Sequence, residues 1–146
     1  MMTMAEPVRV FLLDDHEIVR RGVVSVIDAE PDMEVVGEAG TAEETLDMVE
    51  ACNPDVAVLD IRLGDGSGVE VCRDIRSQYP DVKCLMLTSF EDDQALVEAS
   101  LAGAAGYVLK QVQGGDLLEA IRMVADGRVL LDRATIRLAL RRLREP

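Results

Sequence analysis

Five short apolar runs punctuate the chain, at Val8–Leu13 and at residues 34–39, 56–59, 82–87 and 107–109. Most are continuous rather than alternating. That is the pattern of parallel strands covered on both faces. The segments between them repeat at helical spacing. The stripes are Ile18, Val19, Val23, Val26 and Ile27; Leu46 and Val49; Val69, Cys72 and Ile75; Leu96, Val97 and Leu101; and Leu117, Leu118, Ile121 and Val124. Turn residues agree with this division. Pro31, Asn53 with Pro54, and Tyr79 with Pro80 each follow a helix and precede a strand. Thr41 with Glu44 reads as a capping box. Gly103 and Gly127 read as helix stops.

The expected order is therefore strand–helix, five times in about 120 residues. Right-handed crossovers fold such an order into a doubly wound α/β sheet with helices on both faces. A sixth helix is expected after a short apolar run at 129–131. Its apolar face carries Ile136, Ala139, Leu140 and Leu143, and another face carries Arg133, Arg137, Arg141 and Arg144. We divide the chain into a domain at 1–128 and a linker with C-terminal helix at 129–146.

Charge sharpens this division. The 146 residues carry a net charge of −13. Residues 132–146 hold five arginines against two acids, a net +3, which leaves −16 on the rest. A phosphate polymer repels such a body, so direct nucleic-acid binding is not expected of it. No apolar run approaches the ~18 residues of a membrane span. The N-terminus lacks a signal peptide's basic and apolar regions, so we expect a cytoplasmic protein without a membrane partner. Cys52, Cys72 and Cys84 are odd in number and widely spaced, which favours buried free thiols over a disulfide or zinc site.

In an open α/β sheet, ligands bind beyond the carboxyl ends of the strands. The polar residues expected there are Asp14 and Asp15 after strand 1, Asp60 after strand 3, Thr88 and Ser89 after strand 4, and Lys110 after strand 5. A single aspartate at a strand end is usually a cap or a solvated turn. Acids, a hydroxyl and a lysine at four strand ends together are a poor fit to that reading. Three carboxylates in one place repel unless a cation joins them. An all-oxygen ligand set selects a hard ion such as Mg²⁺. A carboxylate is also a nucleophile for phosphoryl transfer, and a lysine and a hydroxyl stabilise the charge that develops.

The segments VFLLDDHEIVRRG, VAVLDIRLGDGSG, LMLTSF and GYVLK resemble the receiver domain of two-component response regulators, in its NarL/LuxR-type subfamily. The resemblance covers about residues 7–128. It implies a flavodoxin-like (βα)₅ fold with strand order 2-1-3-4-5. It implies Asp60 as phospho-acceptor, and Mg²⁺ held by Asp14, Asp15, Asp60 and the backbone carbonyl of Arg62. Thr88 would be the switch hydroxyl, Lys110 the conserved-type lysine and Tyr107 the switch aromatic. Tyr107 precedes Lys110 by three residues and so should face the other side of its strand.

The implied partner is a sensor histidine kinase. A homodimer through the fifth and sixth helices is expected, with DNA reached only through an output domain not present in this chain. No enzyme is implied beyond slow self-dephosphorylation. The alternative is a pseudo-receiver that is never phosphorylated. A flavin or nucleotide enzyme of the same fold is disfavoured, because the loop at 64–68 has GxGxG rather than GxGxxG spacing. A haloacid-type phosphatase is disfavoured by Arg62, where a second aspartate would be needed. The subfamily carries proline four residues after the acceptor. Here Gly64 stands there, and a more mobile loop is expected. Proline is also common after the lysine, where this chain has Gln111. His16 is expected at the mouth of the pocket rather than as a ligand.

Overall fold

The computed structural model describes residues 6–88, 92–110 and 114–145. The expectations for Ser89 and Gln111 lie outside them. Five strands form one parallel sheet: β1 (Val8–Leu13), β2 (Met33–Ala39), β3 (Val56–Asp60), β6 (Lys83–Thr88) and β7 (Gly106–Leu109). Their order is β2-β1-β3-β6-β7, which is the expected 2-1-3-4-5 of the five sheet strands. Two further strands, β4 (Arg62–Leu63) and β5 (Gly66–Ser67), make a small antiparallel hairpin that the apolar pattern did not predict.

Side chains alternate across the sheet. Phe11, Leu13, Ala57, Leu59, Cys84 and Met86 face α2 (Ala42–Cys52), α3 (Gly68–Gln78) and α4 (Asp93–Leu101). Val10, Leu12, Val56, Val58, Leu85 and Leu87 face α1 (Glu17–Asp28) and α5 (Gly114–Ala125). Both faces are dry, which is why the strand runs are continuous. All five residues of β3 are buried. The acceptor candidate therefore stands at the end of the central strand of the sheet.

The helix ends follow local chemistry. The Thr41 hydroxyl accepts from the Glu44 N–H at 3.4 Å. Glu44 reaches back to the N–H of Gly40, one residue short of a full capping box. Gly103 closes α4 at φ +90° and Gly127 closes α5 at φ +93°, conformations that favour glycine. The α1 stripe is narrower than expected. Val23, Val24 and Ile27 pack on the sheet, whereas Ile18, Val19 and Val26 are exposed. The three cysteines are free: Cys72 and Cys84 are buried and Cys52 is half-buried.

The sixth helix, α6 (Arg133–Arg144), is capped by Asp132, whose carboxylate accepts from the Thr135 N–H at 2.7 Å. It lies along α4 of the same domain. Ala139 is buried there, and Arg142 pairs with Asp93 at 3.3 Å. Leu138 and Leu143 stay largely exposed. No helix among the described residues is long and apolar enough to cross a membrane.

Candidate functional site

The carboxyl ends of β1, β3, β6 and β7 converge at the switch of strand order. There β1 is flanked by β2 on one side and β3 on the other. Asp14 directly follows β1 and is fully buried. Its N–H is tied to the Ala39 carbonyl at 3.1 Å, and its Oδ1 accepts from the His16 N–H at 2.9 Å. Asp60 is the last residue of β3 and is also buried. Lys110 follows β7, and its N–H donates to the Thr88 carbonyl at 2.6 Å. This bond joins the ends of β6 and β7.

The Lys110 ammonium lies 2.9 Å from Asp14 Oδ2 and 3.0 Å from Asp60 Oδ2. Residues 14, 60 and 110 thus meet in one buried ion cluster. Burial pushes the Asp60 carboxyl up; the nearby Asp14 charge adds to the rise, and the Lys110 hydrogen bond and charge oppose it without cancelling it. At Lys110, burial favours the neutral amine. The hydrogen bonds and charges of Asp14 and Asp60 together outweigh it, and its pKa is raised. Lys110 is therefore a firm cation at neutral pH.

The other predicted residues take their expected places. Asp15 is exposed at the rim, with its Oδ1 3.1 Å from His16 Nδ1. His16 sits at the N-cap position of α1 and is exposed at the mouth of the pocket. Arg62 opens β4, and its N–H donates to Asp60 Oδ1 at 3.4 Å. Thr88 ends β6 and is buried. Tyr107 is half-buried and packs with the α3 and α4 side of the sheet. Lys110 instead lines a cavity on the α1 and α5 side together with Val19 and Leu117.

The acids lie close enough together to hold a cation. One ligand atom each from Asp14, Asp15, His16 and Asp60 falls within 4.8 Å of all the others. Asp14 Oδ2 is buried with the Lys110 ammonium at 2.9 Å, and no further donor meets it among the described residues. Such an atom has acceptor capacity to spare for a hard cation.

Three residues at the site were not foreseen. The Arg20 guanidinium donates to the Asp14 carbonyl at 2.7 Å and to Glu38 at 3.0 Å, so it ties the ends of β1 and β2. The Gly64 N–H donates to Asp15 Oδ2 at 2.9 Å. The Asp65 carboxylate accepts from the N–H groups of Ala42 and Glu43 at 3.0 and 3.2 Å. The loop expected to be mobile is thus tied at both of its turn residues. A side chain at Gly68 would collide with the backbone carbonyl of Asp60, so only glycine fits where α3 begins.

A doubly wound parallel sheet with buried acids and a bridging lysine at its switch point defines a receiver domain of two-component signalling. The chain belongs to the response regulator receiver domain family, which matches residues 10–122. It is 51% identical over 137 residues to the DNA-binding transcriptional activator DevR/DosR of Mycobacterium tuberculosis, covering 94% of this chain and 63% of that protein. It is 38% identical over 120 residues to the transcriptional regulatory protein DegU of Brevibacillus brevis, covering 82% of this chain and 51% of that protein. A LuxR-family two-component response regulator from an Aurantimonas species has a solved structure that superposes with a TM-score of 0.84. Its identity is 31%, and the match covers 96% of this chain and all of that one. The chain spans less than two thirds of the length of these two transcriptional regulators.

Proposed function

We propose that the domain accepts a phosphoryl group on Asp60 from a sensor histidine kinase, with Mg²⁺ as cofactor. The observation that carries this reading is the Lys110 ammonium set between two buried carboxylates at adjoining strand ends. Asp14, Asp15, Asp60 and the carbonyl of Arg62 would hold the Mg²⁺, with His16 outside the ligand set. When bound, Mg²⁺ neutralises charge on the transferring phosphoryl oxygens.

The chain's own groups do the rest. An Asp60 carboxylate oxygen forms the new P–O bond as the P–N bond to the kinase imidazole breaks, and the departing nitrogen takes up a proton. The Lys110 ammonium balances charge at the acceptor. The Thr88 hydroxyl donates to a phosphoryl oxygen. That movement opens space for Tyr107 to turn inward and reshape the α4 and β7 surface. The domain is not an enzyme beyond slow self-dephosphorylation.

DevR/DosR is named a DNA-binding transcriptional activator, which supports transcription as the output, through a region outside this chain. A cytoplasmic location fits this role. The exposed Leu138 and Leu143 leave room for a second copy on α6. Gel filtration with and without phosphoryl donor tests that dimer; an unchanged monomer mass counts against it.

Intact mass after incubation with Mg²⁺ and acetyl phosphate tests the acceptor. A gain of one phosphoryl group (~80 Da) in the wild type, absent in Asp60→Asn, is the expected result. No gain with acetyl phosphate or with a phosphorylated histidine kinase leaves the pseudo-receiver reading in its place.

A further inference from the structure

His16 is the single histidine of the chain, and it stands beside two carboxylates. Its Nδ1 lies 3.1 Å from Asp15 Oδ1 and 3.4 Å from Asp14 Oδ1. The side chain is 67% exposed. A protonated imidazole in that place makes an ion pair, and an exposed pair contributes little. The surroundings of the ring fit a second use.

Spacing is the first point. Neighbouring ligands of an octahedral ion, each about 2.1 Å from it, lie about 3 Å apart. The two distances from His16 to the carboxylates are near that value. One atom each from Asp14, Asp15, His16 and Asp60 also falls within 4.8 Å of all the others. The second point is that the residue is fixed while its ring is not committed to the helix. The His16 N–H donates to Asp14 Oδ1 at 2.9 Å, and its carbonyl accepts from the Arg20 N–H at 2.8 Å. Its side chain makes no cap hydrogen bond at the N-terminus of α1. At the floor of the pocket, buried Asp14 Oδ2 meets the Lys110 ammonium and no further donor among the described residues. The pocket therefore offers oxygen ligands below and one ring nitrogen at its mouth.

We propose that the pocket takes a second class of ion, a borderline divalent cation such as Zn²⁺ or Co²⁺, with His16 Nδ1 as a ligand beside Asp14, Asp15 and Asp60. The proposal rests on the reading of the acidic pocket as a cation site. Mg²⁺ keeps to oxygen and water, so His16 stays outside its ligand set, whereas an imidazole suits the softer ions. The carboxylates serve both classes and the ring serves one. His16 thus sets which ion the pocket favours, and the two ions compete for the same acids.

The test is calorimetric titration of the 146-residue chain with Mg²⁺ and with Co²⁺, in the wild type and in His16→Ala, His16→Gln and Asp14→Asn. The wild type should bind Co²⁺ more tightly than Mg²⁺. Loss of an outer-shell partner costs a metal site about 10–100-fold, and loss of a direct ligand costs at least the lower figure. Both His16 variants should bind Co²⁺ about tenfold more weakly or worse and keep the wild-type affinity for Mg²⁺. Asp14→Asn should weaken both ions. Proton NMR of the Co²⁺ protein gives a second reading. An imidazole N–H resonance shifted far outside the usual range by the paramagnetic ion should appear in the wild type and vanish in His16→Ala. A ring that is only ion-paired to the acids gives no such resonance.

Co²⁺ affinity that is unchanged in His16→Ala, or that falls there only as much as Mg²⁺ affinity does, overturns the role of His16 and leaves the cation site standing. Co²⁺ binding that survives Asp14→Asn but not His16→Ala puts the histidine in another site and overturns the proposal too. A wild-type chain that binds neither ion overturns the cation site and the proposal together.

Discussion

The Lys110 ammonium stands 3.0 Å from Asp60 Oδ2, and both side chains are almost fully enclosed. Removing one member of such a pair leaves a buried charge without compensation, which costs about 3 kcal/mol or more. Lys110→Met should lower stability by about 3 kcal/mol at neutral pH. The Asp60 carboxyl is already raised, and loss of the lysine raises it further. Protonation then relieves the strain, so the deficit should shrink as pH falls through the raised value. Urea melts of both proteins at about pH 7 and about pH 4.5 measure the difference; a deficit that grows toward acid contradicts this account.

Asp60→Asn makes the opposite change. A group whose folded pKa is raised adds stability only while it is protonated, and that stability is lost as pH rises through the folded value. The neutral amide avoids this loss, and Lys110 keeps the Asp14 carboxylate at 2.9 Å as its counter-charge. Asp60→Asn should match the wild type near pH 4 and exceed it by about 1 kcal/mol at pH 7. Thermal melts across that range, without divalent cation, give the comparison. Added Mg²⁺ should raise the melting temperature of the wild type more than that of the variant.

Two glycine substitutions should differ in sign. A Cβ at Gly68 runs into the Asp60 carbonyl, and backbone cannot swing aside as a flexible side chain does. Gly68→Ala should cost about 2 kcal/mol, typical of overpacking, and should slow acetyl phosphate labelling by moving Asp60, the proposed acceptor. Gly22 lies inside α1, and a Cβ there would meet nothing within 4 Å. Gly22→Ala should stabilise by about 0.5–1 kcal/mol. Denaturant midpoints of the pair decide the matter.

The contact of α6 with α4 includes one small, fully buried residue and one exposed ion pair. Ala139→Glu places a charge where Ala139 is 1% exposed. Hydrogen exchange along residues 133–144 should rise sharply while the sheet amides keep their protection. Arg142→Ala should do far less, because an exposed pair contributes little. Equal exchange in both variants would mean that Ala139 does not hold the helix.

Much of this was legible in the sequence, for physical reasons. Continuous runs such as 56–59 mark strands buried on both faces, and the chain direction places the polar residue that follows each at one end of the sheet. Asp14, Asp60, Thr88 and Lys110 followed directly. Contacts made through backbone groups were harder to see. Gly64 and Asp65 form a two-residue turn between Leu63 and Gly66, but the strands it joins are only two residues long, too short to show as apolar runs. Arg20 reads as a solvated helix residue because periodicity does not show a guanidinium folding back to a carbonyl. The α6 stripe announced a need for cover. Only the packed chain shows α4 supplying part of it within the same domain.

Asp14, Asp60 and Lys110 are separated by 46 and 50 positions along the chain, yet they form one cluster. No shorter stretch holds the pieces of the site. During synthesis Asp60 leaves the ribosome well before the lysine that accompanies it. Until β7 pairs with β6, the carboxylates have no ammonium between them. The closed ion cluster is therefore a mark of complete folding, and a half-made chain does not have it.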